Sequence, residues 1–193
     1  ESYPAILLHL PDGRFVAFDS TAQDLGGGDT NGQYDGFVRG RDPDGNGIFD
    51  EPGRESTIRM NVSSFGAEAV GGRSQEPRLS STGRFVTFTS GATNLDPADT
   101  NGRIDVFVHD RDTDGNGVFD EPGKISPTLA STTAAGVLGH NDVLAYGAVD
   151  MSPTGPYVGP DSSPSTPTPR ASPTPVPPRA PPPHSGRTAT LPR

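Results

Sequence analysis

The stretch from Gly13 to Gly53 returns without a gap as Gly83 to Gly123, 70 residues later, with more than half of the positions unchanged. Gly13-Arg14-Phe15-Val16 matches Gly83-Arg84-Phe85-Val86, and Asp29-Thr30-Asn31-Gly32 matches Asp99-Thr100-Asn101-Gly102. Phe37-Val38 matches Phe107-Val108 at the same offset. A tandem repeat limits the fold more than any single motif, because each unit must bury its apolar face against a neighbour of similar build.

Within a unit the periodicity is that of strands. Phe85, Val86, Thr87, Phe88 and Thr89 form a β-branched and aromatic run after the Thr82-Gly83 turn, and Asp12-Gly13 is the matching turn of the first copy. Ile104 to His109 read as a second strand, and Ile58, Met60 and Val62 alternate with Thr57, Arg59 and Asn61 as a half-buried third. Pro77-Arg78-Leu79-Ser80, after Gly71-Gly72, offers a fourth. Four short strands per unit, joined by turns and with no helical pattern, predict an all-β chain of tandem four-stranded, propeller-type blades. The expected divisions are a first blade-like repeat at 1–75, a second at 76–150, and the degenerate start of a third at 151–159. A Pro/Ser/Thr-rich tail at 160–193 has too little apolar surface to offset its chain entropy, and is expected to be disordered and polyproline-II-prone. Two blades and a stub do not close a ring, so the chain is expected to be a fragment of a larger propeller or to pack against other copies.

Each repeat carries an acidic loop. Asp42-Pro43-Asp44-Gly45-Asn46-Gly47-Ile48-Phe49-Asp50-Glu51-Pro52-Gly53 returns as Asp112-Thr113-Asp114-Gly115-Asn116-Gly117-Val118-Phe119-Asp120-Glu121-Pro122-Gly123. Oxygen-bearing side chains at alternate positions, followed by a glycine, suit a backbone coiled around a small hard cation. The candidate ligands are Asp42, Asp44, Asn46, Asp50 and the carbonyl of Ile48, with Asp112, Asp114, Asn116, Asp120 and the carbonyl of Val118 in the second copy. Position 12, where a bidentate glutamate would stand, is Gly53 or Gly123, and Glu51 and Glu121 either substitute or face solvent. All-oxygen ligands and a flexible loop favour calcium, bound weakly at about 10⁻⁴–10⁻³ M and in a structural role. A second acidic group, Asp29, Asn31 and Asp35 with Asp99, Asn101 and Asp105, is expected to close Asx turns in preference to holding an ion. It should lie at the opposite strand end from the loop.

The segment Pro77 to Ser90, the Asn94-Leu95 and Asp99-Thr100-Asn101-Gly102 loop, and Asp105-Val106-Phe107-Val108-His109-Asp110-Arg111 resemble TolB-like (WD40-like) β-propeller repeats of secreted bacterial proteins, over about residues 10–126. The resemblance implies that the strand after the Gly-Arg-Phe turn and the Asp-Val-Phe-Val strand are the two inner strands of a blade. The 70-residue repeat departs from the usual length of about 40–45, because its last hairpin carries the acidic loop. The loops themselves look like those of EF-hands, dockerins and thrombospondin type 3 repeats.

Composition narrows the function. There are no cysteines, which excludes disulfides and thiolate metal sites. No apolar run approaches the roughly 20 residues that cross a bilayer. Residues 1–160 hold 11 basic against 23 acidic side chains, a balance that repels nucleic acid and attracts cations. His9, His109, His140 and His184 form no metal or catalytic pairing, and no nucleophile elbow or phosphate loop is present. Because Arg39 stands at the matching position, His109 is expected to be exposed. These features predict a non-catalytic, calcium-binding scaffold or interaction module, secreted or at the cell surface, with calcium and further blades or another protein as partners. An accessory propeller of a secreted hydrolase stays open, as does a calcium-dependent carbohydrate binder using Phe49 and Phe119.

Overall fold

A computed structural model describes residues 8–9, 12–133, 135–139, 142, 151–152 and 155–156. The tail expected at 160–193 lies outside the described residues, as does most of the third-repeat echo. Two antiparallel four-stranded sheets make up the body, and the described residues contain no helix. The first sheet runs β1 (Leu8–His9), β2 (Phe15–Ser20), β3 (Asp35–Gly40), β4 (Ser56–Arg59) in spatial order. The second runs β5 (Ser74–Leu79), β6 (Phe85–Ser90), β7 (Asp105–Asp110), β8 (Ser126–Leu129). Both are meanders, and β2–β4 recur as β6–β8 at the 70-residue offset of the sequence. A short hairpin, β9 (Met151–Ser152) with β10 (Gly155–Pro156), follows.

The Gly-Arg-Phe and Asp-x-Phe-Val strands are the central pair of each sheet, paired in register from Phe15↔Gly40 to Ser20↔Asp35 and from Phe85↔Asp110 to Ser90↔Asp105. The strand expected from Pro77 begins at Ser74 and pairs with β6. It therefore opens the second sheet, two residues ahead of the 75/76 division. The register shifts between Gln75 and Arg78, where Glu76 takes a left-handed φ of 57°. A bulge on an edge strand is where a proline such as Pro77 loses no ladder bond.

Pairing fixes which side chains share a face. In the first sheet Phe15, Ala17, Val38 and Ile58 lie on one face, with Val16, Phe18, Phe37, Arg39 and Arg59 on the other. In the second sheet Val86, Phe88, Phe107, His109 and Leu129 share a face. The core joins Phe15, Ala17, Val38 and Met60 to Val86, Phe88, Phe107 and Leu129, so the sheets pack face to face. Burial of this kind contributes about 1.5–3 kcal/mol for each large apolar side chain. The linker crosses at Gly72, where a Cβ would stand 2.7 Å from the backbone of Gly91, so only glycine fits.

His109 corrects an expectation. It is 1% exposed and shares a cavity wall with Ile58 and Arg59 of the first sheet. Arg39 holds the same position on the face of the first sheet turned away from the second sheet, which is why the comparison of copies misled. Burial pushes the imidazole pKa down to about 4.

Candidate metal centres

The loops 42–53 and 112–123 start just beyond the ends of β3 and β7 and fold alike. Asp42, a buried residue, accepts the N–H of Asn46 (3.0 Å) and of Gly47 (3.1 Å), and Asp112 accepts those of Asn116 and Gly117 (both 3.0 Å). The Oδ1 atoms of Asn46 and Asn116 accept from Ile48 and Val118, each at 2.7 Å. Their amides donate to Glu51 and Glu121 at 2.8 and 2.7 Å. Gly45 and Gly47 hold φ of 71° and 86°, and Gly115 and Gly117 hold 70° and 86°. These left-handed turns let side-chain oxygens gather over the backbone N–H groups without a Cβ clash. Burial works to raise the Asp42 carboxyl, but the N–H groups of Gly47 and Asn46 and the nearby Arg14 outweigh it and hold the pKa below its ordinary value.

Asp44 stays with this group, accepting the backbone N–H and the side-chain amide of Asn46 at 3.4 Å each. Asp44 pairs with Arg54 at 3.6 Å and Asp114 with Lys124 at 3.3 Å. Asp50 and Asp120 sit at left-handed φ of 55° and 63°, and each carboxylate is held by the arginine that precedes its loop, Arg41 or Arg111. Ile48 and Val118 point their side chains to solvent. The asparagine thus links the first-position aspartate to the glutamate, through its backbone N–H and its side-chain amide, while Asp50 and Asp120 turn to their arginines.

Among the described residues, the acidic group whose oxygens come within 4.8 Å of one another is Asp29, Asp35 and Glu68, at the other end of β3. Asp29 closes an Asx turn, accepting from Asn31 at 2.8 Å and Gly32 at 3.0 Å. Asp35 is fully buried, takes the Asn61 amide at 2.6 Å, and faces Arg59 Nε at 3.1 Å. Arg59 also reaches Glu68 at 2.7 Å and the Gly28 carbonyl at 2.6 Å. Glu68 additionally accepts the hydroxyl and N–H of Thr30. Hydrogen bonds from Thr30, with help from Arg59, outweigh desolvation and bring the Glu68 pKa down to about 2. Burial moves Asp35 the other way, against Asn61 and Arg59. Three carboxylates around one guanidinium leave a net negative, all-oxygen donor set, which suits a hard cation. This triad could hold a metal ion.

Sequence spacing does not reach Glu68, which lies on a turn returned to β4 by the Val62↔Glu68 bridge. The signal it left is a paired change between repeats: Arg59 and Glu68 both become leucine, Leu129 and Leu138. No protein family, curated protein or solved structure matches this chain.

Proposed function

We propose that this chain is a non-catalytic, calcium-binding β-scaffold of secreted or cell-surface type, built from TolB-like, propeller-type blades whose acidic loops are ordered by structural ions. The observation that carries it is the shared loop frame: in both copies Asp42 or Asp112 and Asn46 or Asn116 are oriented by the same backbone N–H groups, ready to turn oxygens on a cation. A hard ion entering this frame would displace Arg54 or Lys124 from the third-position aspartate. If millimolar calcium meets a site of about 0.1 mM affinity, each loop gains about 1.4 kcal/mol. Melting with calcium and then with chelator tests this. A rise with calcium, lost in the Asp44→Ala/Asp114→Ala double variant, is expected, and a melt indifferent to calcium would sink the proposal.

The interface between the sheets suggests the protein partner. Phe119 of the second loop packs on Phe15 of the first sheet with ring centroids 5.8 Å apart, and Arg111 lies over both rings. On the far side of the second sheet, Phe85, Val108 and Thr128 line an open groove at the positions matching this socket. A further unit of the same kind is the partner whose loop would fill it. A carbohydrate platform is less well supported, because Phe119 is committed to that packing and Phe49 carries Arg41 at 5.2 Å.

A further inference from the structure

The second repeat keeps the two aspartates of the Asp29/Asp35 pair, as Asp99 and Asp105, but not the cation that answers them. Asp35 faces Arg59 at 3.1 Å, with Asp29 within 4.8 Å of Asp35; in the second copy the arginine position is Leu129 and the Glu68 position is Leu138. Both leucines belong to, or pack against, the apolar core. The aspartates are nevertheless shut in, Asp99 at 7% exposure and Asp105 at 0%.

Their oxygens are left without partners. Asp105 Oδ1 accepts the Ser131 hydroxyl at 2.6 Å, but Asp105 Oδ2 and both oxygens of Asp99 accept no hydrogen bond among the described residues. In the first repeat Asp29 Oδ2 and Asp35 Oδ2 likewise accept no hydrogen bond, but Asp29 Oδ1 takes the N–H groups of its own turn and the Arg59 guanidinium stands 3.1 Å from Asp35 Oδ2, so the difference between the copies is the missing cationic charge. A buried carboxylate without a partner is costly, and a second negative charge close enough to act on it makes it costlier still. The surroundings add negative charge: Asp96 accepts the Leu129 N–H at 2.9 Å and Asp142 the Ile104 N–H at 3.2 Å. Arg103, the nearest cationic residue in sequence, points to solvent. Burial, reinforced by the charges of Asp105 and Asp96 and only partly offset by the Asn101 N–H of its own turn, pushes the Asp99 carboxyl above its ordinary value.

A single proton shared between the two carboxylates would satisfy one oxygen pair and leave a third oxygen bare. One hard cation answers all three at once.

We propose that Asp99 and Asp105 form a calcium-type cation site at the start of β7, where the ion does for the second repeat what the Arg59 guanidinium does for the first. Asp99 offers both oxygens and Asp105 one, a bidentate-plus-monodentate set that suits the larger ion's higher coordination number over magnesium's strict octahedron. The site lies across the strand from the loop at 112–123 and is independent of it.

The test uses the full chain carrying Asp44→Ala and Asp114→Ala, so that loop binding is removed first. Calorimetric titration with calcium alone should still show one site, and millimolar calcium should still raise the melting temperature. Adding Asp105→Asn, or separately Asp99→Asn, should weaken that residual site at least tenfold while far-UV circular dichroism keeps its β signature. No heat in the loop-disabled chain would overturn the site and favour a shared proton. Residual binding that survives both asparagine substitutions would also overturn it and point to the Asp29/Asp35/Glu68 triad. If the loop substitutions leave calcium binding unchanged in stoichiometry, the loops do not bind, and the asparagine variants still decide this site.

Discussion

Arg111 and Arg41 occupy matching positions and make the matching ion pair, yet their removal should have very different consequences. Arg111 is 2% exposed, Asp120 is 12% exposed, and the guanidinium also donates to the Gly83 carbonyl at 2.7 Å. It is sandwiched over Phe15 and Phe119 at 4.9 and 4.8 Å. Arg111→Ala leaves a largely buried carboxylate without its partner, which costs about 3–5 kcal/mol. With a urea m-value of about 2 kcal/mol/M, the unfolding midpoint should fall by roughly 1.5–2.5 M. The Arg41–Asp50 pair is 37% and 44% exposed, water replaces the lost partner, and Arg41→Ala should leave the midpoint where it was. Adding Asp120→Asn to Arg111→Met should recover part of the loss, since the bare charge goes with it. Equal losses at the two arginines, or none at Arg111, would refute the claim that the second loop is seated on the first sheet.

His109 should set part of the acid sensitivity. It stays neutral in the fold down to about pH 4, while in the unfolded chain it gains a proton near 6.5, so its share of stability is complete above pH 6.5 and drains as pH falls toward 4. That share is at most about 3 kcal/mol, and His109→Leu should flatten the urea midpoint between pH 7 and 4.5 relative to the native chain; parallel profiles would show that the imidazole is not sealed. Gly72→Ala should lower the melting temperature, because its Cβ meets the Gly91 backbone at 2.7 Å and neither segment can yield without parting β5 from β6, where Gly91 N–H donates to the Arg73 carbonyl. Overpacking of this sort costs about 1–3 kcal/mol, and an unchanged melt would mean the linker is free to shift.

How much of this was legible depended on how far apart the cooperating residues lie. The central strands announce themselves through Gly-Arg-Phe-Val and Asp-x-Phe-Val, short β-branched and aromatic runs after turn residues; burial alternates at the start of β2, while β3 and β7 are buried on both faces. The start of β5 did not, because Glu76 and Pro77 break the alternation at a bulge that only the pairing with β6 explains. The acidic loops are local, and their turns follow from Asp, Asn and Gly at fixed spacing. What spacing could not say is that Asp50 and Asp120, in a left-handed conformation, turn to the arginine one residue before the loop. Glu68 was out of reach because it joins Asp35 through tertiary folding.

The two repeats differ most where the second meets the first. Arg39 becomes His109, Arg59 becomes Leu129 and Glu68 becomes Leu138. His109 and Leu129 lie on the second-sheet face that packs on Phe15, Ala17 and Val38, while Arg39 and Arg59 lie on a first-sheet face whose charges are answered in place by Thr57, Asp35 and Glu68. A charged side chain on the packed face would need a partner that an apolar neighbour cannot give, so the second copy has shed its charges there and kept its turns. The exception is the pair that turn geometry retains, Asp99 and Asp105, which stayed acidic after their arginine was lost. Packing therefore accounts for the leucines, and with no guanidinium at position 129 the buried Asp99 and Asp105 are left as the pair for which we propose a cation.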